Sequence, residues 1–199
     1  MNGIVDFLQL WWAGFGRPAA FAEGLQGRPA PWWGFRAQLL RAALDALLLY
    51  LPLSLQGRTP PTPSYLSFAP TARYYGALVW LTPLVFTAQW LLGGAVIHVG
   101  LRLAGRRSDV DAVLNVTGMT TLVVGAFLLL WDWLWLMAGG MDQYALGISH
   151  LMIDLWGMVL VVVGLKRLLD VPAWLGATLY VLAVASALPL AVMFMRSPL

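Results

Sequence analysis

The sequence predicts an all-α integral membrane protein, built as a bundle of five transmembrane helices with an N-terminal interfacial amphipathic helix. Of its 199 residues, 60% are hydrophobic and only 11% are charged, whereas roughly a quarter of the residues in a soluble domain are charged. Five apolar segments reach the length of about 20 residues that a membrane-spanning helix needs. Most basic residues lie at the ends of these segments, which is typical of topology signals and not of a nucleic-acid-binding patch.

Residues 1–36 form the predicted N-terminal segment, which we place at the cytoplasmic membrane interface. Phe7, Trp11 and Phe15 recur every four residues, so they share one face of a helix. Aromatic rings favour the headgroup level of a bilayer. The only charged side chain before Arg17 is Asp6, and the pattern therefore predicts an amphipathic helix that lies in the interface.

The transmembrane domain is predicted over residues 37–199. Its five spans cover about residues 37–56, 75–103, 112–138, 144–165 and 172–195. The first span is the weakest, because it contains Arg41, Asp45 and Pro52. A pair between Arg41 and Asp45, one helical turn apart, would help this span to insert, since each charge neutralises the other.

The distribution of lysine and arginine predicts the orientation. With a cytoplasmic N-terminus, nine basic residues face the cytoplasm and three face outward. The inner nine are Arg17, Arg28, Arg36, Arg41, Arg102, Arg106, Arg107, Lys166 and Arg167, and the outer three are Arg58, Arg73 and Arg196. Five spans then place the C-terminus outside. Without the first span the count would be seven against five, so the bias favours its insertion.

Ionisable residues inside the predicted spans are candidates for a functional site, since such groups are costly in a bilayer and often mark ion or proton pathways. The five candidates are Asp45, His98, Asp132, His150 and Asp154. Asp45 is expected at a depth similar to that of His98. One interpretation is a proton or ion path through all five residues. The other is interhelical hydrogen bonding, in which each pair only stabilises packing.

The third and fourth spans supply three of these candidates. A short turn joins the two spans, which makes them antiparallel neighbours and brings Asp132 and His150 to one depth. Asp154 should lie near mid-membrane, level with Thr120 and Thr121. We therefore expect His150 and Asp154 to face the bundle interior, with Asp132 beside His150.

The sequence argues against several classes of site. With no cysteine and only two histidines, it offers no thiolate metal site and little basis for haem or a multi-histidine site. His150 and Asp154 lie one turn apart on one helix face, but two protein ligands are too few for most metal sites. No Ser/His/Asp or paired-carboxylate arrangement is evident. We therefore expect no catalytic residue, no metal and no cofactor.

Three stretches of the chain carry a family pattern. The first stretch has a P-x-x-F … L arrangement and reads GRPAAFAEGLQGRPAPWWGF. The second joins a histidine-bearing helix to the next helix through a glycine-containing turn and reads LLGGAVIHVGLRLAGRRSDVDAVLNV. The third has a W-x(7)-G-L helix before a basic turn and reads LWGMVLVVVGLKRLLDVPAWLGATLYVL. The matching positions are Pro18, Phe21, Leu25, His98, Leu103, Gly105, Leu114, Val116, Trp156, Gly164 and Leu165. Together the three stretches resemble the bacterial branch of the YIP domain family, small five-helix membrane proteins related to Ypt/Rab-interacting proteins. Arg106 stands where the family turn usually has a second glycine.

This resemblance implies a five-helix fold and a non-enzymatic protein that acts through contacts with lipids, with other membrane proteins or with itself, or as an accessory subunit of a larger membrane complex. One lysine against eleven arginines, with abundant alanine, glycine and proline, is typical of a bacterium with a GC-rich genome, which places the protein in the plasma membrane. The alternative function is a small transporter or channel that moves protons, ions or a small solute along the buried Asp and His residues. Neither function involves nucleic acid.

Overall fold

A computed structural model describes residues 3–28, 30–60, 63–139 and 143–194 of the chain. Within these ranges the protein consists of seven α-helices, of which five are long and apolar enough to cross a membrane. The predicted all-α bundle of five transmembrane helices is thereby confirmed. The helices are α1 (Gly3–Ala13), α2 (Pro18–Leu25), α3 (Trp32–Leu55), α4 (Tyr74–Leu103), α5 (Val110–Met137), α6 (Gln143–Leu169) and α7 (Ala173–Phe194).

The five spans, α3 to α7, lie close to their predicted bounds, with two differences. α3 begins at Trp32, before the expected position 37, and α6 continues to Leu169, beyond the expected position 165. Lys166 and Arg167 therefore lie in the last turn of α6, where the helix dipole favours cations. Residue 195, the predicted end of the fifth span, and Arg196 lie outside the described residues.

α5 lies at the centre of the bundle. α3, α4 and α6 pack around it, while α7 packs against α4 and α6. We call the end of the bundle where α3, α5 and α7 begin the basic end, because it carries Arg102, Lys166 and Arg167. The opposite end is called the far end.

α3 and α5 run in the same direction and cross in close contact near the basic end. Gly34 and Gly118 face each other there, and a Cβ atom on either glycine would collide with the backbone of the other helix. The buried side chain of Asn115 holds the start of α3, since its Oδ1 accepts from the Gly34 amide and its Nδ2 donates to the Ala30 carbonyl, both over 2.9 Å. This contact explains the early start of α3, because an amide of its first turn is already satisfied.

α3 contains a proline, Pro52, and the helix changes its hydrogen bonding just before it. The helix widens into a π-helical turn at Ala46–Tyr50, just before Pro52. Pro52 lacks an amide hydrogen and cannot bond to the carbonyl of Leu48. The indole Nε1 of Trp133 on α5 donates to that carbonyl over 2.9 Å. A neighbouring helix thus supplies a hydrogen bond that the proline cannot make, as membrane helices require.

The N-terminal segment forms a helical hairpin. α1 and α2 are joined by a turn over residues 14–17, and Leu10 of α1 packs directly over Gly24 of α2. Phe21 and Leu25 of α2 are buried in the main apolar core. The predicted N-terminal helix is present, and the hairpin packs against α5 and α6.

Candidate functional site

A cavity of about 310 Å³ lies between α4, α5, α6 and α7, with side chains of α3 reaching its edge. We call it the central cavity. Its polar lining comes from all five spans: Gln38 and Arg41 of α3, Gln89 of α4, Thr120 of α5, Asp154 of α6 and Tyr180 of α7. The remaining lining is apolar and includes Phe86, Trp90 and Ile97.

The central cavity lies at mid-depth in the bundle. Along α5 its lining runs from Thr117 to Leu128, which is ~10 to ~27 Å from the first residue of that helix at about 1.5 Å per residue. The hydrocarbon core of a bilayer is about 30 Å thick. The polar side chains of the cavity therefore lie at the depth of lipid tails, where polar groups need partners inside the protein.

Arg41 is the one buried cation among the described residues, and its partners lie on three helices. Its Nη2 forms a salt bridge of 2.7 Å with Asp45, so the predicted pair is confirmed. Its Nη1 donates to the carbonyl of Gly125 on α5, and its guanidinium lies 5.6 Å from the ring centroid of Phe86 on α4. Gly125 is required for this arrangement, because a Cβ atom there would overlap the Arg41 side chain.

Asp154 lines the central cavity, as expected for a residue facing the bundle interior. It lies within electrostatic range of both Arg41 and His150. Among the described residues, no lysine or arginine lies within salt-bridge distance of its carboxyl group. The hydroxyl of Tyr180 donates to the Asp154 backbone carbonyl over 3.3 Å and so leaves the carboxyl free to face the cavity.

Two buried polar atoms of the cavity lining have no hydrogen-bond partner among the described residues. They are Oε1 of Gln38 and Oγ1 of Thr120. The neighbouring Thr121 differs, since its hydroxyl donates to the Thr117 carbonyl over 2.7 Å. A buried polar atom without a partner costs about 1–3 kcal/mol. Two hydrogen-bonding atoms beside the central cavity are thus left without a partner in the described part of the chain.

The third and fourth spans meet near the far end as predicted. The Nε2 atom of His150 lies 2.8 Å from Oδ1 of Asp132, and this pair bridges α5 and α6. The side chain of His150 is 32% exposed and that of Asp132 is 10% exposed. The predicted contact is confirmed, but neither residue lines the central cavity.

His98 lies apart from the other four candidates. Its Nδ1 lies 2.8 Å from the hydroxyl of Ser108, which follows α4 at the basic end. The predicted common depth of Asp45 and His98 is wrong, because α3 begins at Trp32. Asp45 thus lies ~20 Å along α3, whereas His98 lies only ~8 Å from the end of α4. Asp45 lies instead within electrostatic range of Asp132.

Sequence reasoning placed Asp154 in the interior but missed three other polar residues of the cavity. Gln38, Gln89 and Tyr180 are uncharged, so they were not among the ionisable candidates. A polar residue inside an apolar span is a detectable signal, but the rotation of each helix decides whether it faces the cavity. Of the described residues, no group of three or more His, Asp and Glu side chains is placed to hold a metal ion.

Comparison of the chain with models of protein families, with characterised proteins and with solved structures finds no match.

Replacing Gly125 with alanine should lower the free energy of unfolding by about 1–3 kcal/mol, the usual cost of overpacking a filled interior. The added methyl group would occupy the position of the Arg41 side chain. Gly147→Ala on α6 is the matched control, because nothing lies within 4 Å of its added Cβ atom. Unfolding of both variants in detergent would be compared with that of the original protein, and equal stability of the two variants would contradict the assigned Arg41 contact.

Proposed function

We propose that this protein is a non-enzymatic, multi-pass membrane protein of the YIP type that binds a small amphipathic molecule in its central cavity. The observation that carries the proposal is the cavity itself, which is largely apolar and is lined by Asp154, a carboxyl group with no salt bridge among the described residues. At about 310 Å³, the cavity matches the lower end of small-molecule sites, which begin at about 300 Å³.

The lining favours a ligand that donates hydrogen bonds. The Arg41 charge is already balanced by Asp45. Of the two charged residues that line the cavity, Asp154 is therefore the one without a salt-bridge partner among the described residues. A ligand with a short apolar body and a primary ammonium group would fill the apolar walls and pair with the Asp154 carboxylate.

The wider role follows from the family resemblance. The resemblance implies a role through contacts with lipids or other membrane proteins, and we extend that role to this chain, acting alone or as an accessory subunit. The exposed apolar side chains along the spans, such as Trp80, Leu84 and Leu151, support contact with the lipid bilayer. The composition supports a bacterial plasma membrane as its location.

A small transporter remains the second candidate, because the titratable group of Asp154 faces the cavity. Chains of ionisable groups serve proton and ion movement. Such a chain here would link Asp154 to the Asp132–His150 pair, with His150 within electrostatic range of Asp154. His98 would not belong to it, since it contacts Ser108 at the basic end.

Binding is tested with n-butylammonium and butyrate as matched probes of opposite charge. Butylammonium should raise the midpoint of thermal unfolding in detergent, because a ligand of the folded state stabilises it, and butyrate should not. Ala187→Trp, which fills the cavity, should abolish the shift, whereas Ala185→Trp on the exposed side of α7 should retain it.

Equal shifts with both probes, no shift with either, or an intact shift in Ala187→Trp would overturn the binding proposal. Uptake of labelled butylammonium into proteoliposomes that depends on Asp154 would select the transporter over a binding protein. Asp154→Asn keeps the size of the side chain but cannot titrate, so it is the variant for that assay.

The proposed orientation places the N-terminus in the cytoplasm and the C-terminus outside. The chain has no cysteine, so single cysteines report the topology without background. In intact cells an impermeant thiol reagent should label Thr59→Cys, which is exposed after α3, and should not label Ala104→Cys, which is exposed after α4. The reverse pattern would invert the orientation, and labelling of both in sealed cells would contradict the five-span topology.

A further inference from the structure

We propose that the α1–α2 hairpin enters the lipid leaflet at the basic end and reverses direction near mid-depth, so that its outer face contacts lipid acyl chains. This inference is independent of the central cavity. It rests on the depth at which the tip of the hairpin meets α5 and α6, on the hydrogen bonds of the tip, and on the mostly apolar exposed face of α1.

Three contacts place the tip of the hairpin deep in the bundle. The Trp11 indole donates to the carbonyl of Leu122 over 3.5 Å, and Leu122 lies ~18 Å along α5 from the basic end. The rings of Phe15 and Phe127 lie 5.0 Å apart. On the other side, the indole of Trp156 donates to the Gly14 carbonyl over 2.8 Å.

Both legs of the hairpin return to the basic end. The ring of Phe7 stacks on Trp33 at the start of α3, with centroids 5.5 Å apart. Glu23, near the end of α2, lies 3.5 Å from Arg167 in the last turn of α6. Trp156 lies on the same helix, ~17 Å from Arg167 in the direction of the far end. The hairpin therefore begins and ends at the interface and turns about halfway across the hydrocarbon core.

The amides of residues 14–17 at the tip are bonded inside the protein, as backbone at membrane depth requires. They bond to the preceding helix, with Gly14 donating to Trp11 over 3.0 Å and Arg17 donating to Ala13 over 2.8 Å. The Gly14 carbonyl accepts a hydrogen bond from the Trp156 indole. These bonds satisfy part of the non-helical backbone that the proposal places at the depth of lipid tails.

The exposed face of α1 is mostly apolar, with Gln9 as its exposed polar side chain. Ile4, Leu8 and Trp12 lie on one stripe at intervals of four residues and are 76%, 50% and 65% exposed. Asp6 lies near the start of the helix, at the interface. Arg17 is exposed beside the tip, and its long side chain can extend toward the headgroups of the same leaflet.

An apolar groove continues from the tip toward the far end. It is lined by Phe15, Phe127, Ile153 and Trp156 and has a volume of about 260 Å³. At this depth the surrounding medium is hydrocarbon, so acyl chains are the occupant that the proposal assigns. The interfacial helix predicted from the aromatic pattern thus starts at headgroup level and tilts into the leaflet.

Nitroxide labels on single cysteines test this placement in lipid nanodiscs. Labels at Ile4→Cys, Leu8→Cys and Trp12→Cys share one exposed stripe, so the depth of each label is the main difference between them. Neighbouring positions are separated by ~6 Å along the helix. The ratio of oxygen to nickel-chelate accessibility should rise from Ile4 to Leu8 to Trp12. Reference labels at Leu103→Cys and Leu155→Cys mark the basic-end interface and mid-depth on exposed positions.

The Trp12 label should match the Leu155 reference and the Ile4 label should match the Leu103 reference. Equal ratios at all three positions on α1 would show a helix parallel to the membrane surface and would overturn the proposal. High nickel accessibility at Leu8 and Trp12, with the Leu155 label still protected, would show a hairpin outside the hydrocarbon and would overturn it as well.

Discussion

The charge of Arg41 in the middle of a membrane bundle is the constraint on which the rest of the structure depends. An unpaired arginine at the centre of a spanning helix costs about 2.5–3.5 kcal/mol on insertion scales. Here Asp45 supplies the opposite charge, the Gly125 carbonyl accepts a hydrogen bond and the Phe86 ring faces the guanidinium. These partners belong to α3, α5 and α4, so the arginine can be satisfied only when the three helices are packed together.

Satisfying Arg41 in this way determines the spacing of α3 and α5. The side chain can pass over α5 only at a glycine, and the two helices approach closely enough only where Gly34 meets Gly118. Asn115 then holds the beginning of α3 against α5. Asp45 is already paired to Arg41, so Asp154 across the bundle lines a cavity between the spans without a salt-bridge partner among the described residues. The N-terminal hairpin packs on α5 and α6.

The sequence predicted the features that depend on local spacing or on neighbouring segments. The apolar runs located the spans, the four-residue spacing located the Arg41–Asp45 pair, and the short turn between α5 and α6 located the contact of Asp132 with His150. Contacts between helices distant in sequence could not be predicted, because no periodicity shows which faces meet. The crossing of α3 with α5 and the cavity position of Tyr180 are of this kind.

The most direct test of the central role of Arg41 is a double-mutant cycle measured by unfolding in detergent. Removing one partner of a buried ion pair costs about 3–5 kcal/mol, whereas replacing both partners with apolar residues is often neutral. Asp45→Leu alone should therefore strongly destabilise the bundle, and adding Arg41→Met should restore most of the lost stability. Two results would show that the Arg41 charge is not the constraint that organises the fold. One is unchanged stability of Asp45→Leu alone, and the other is a double variant whose loss of stability equals the sum of the losses in Asp45→Leu and Arg41→Met.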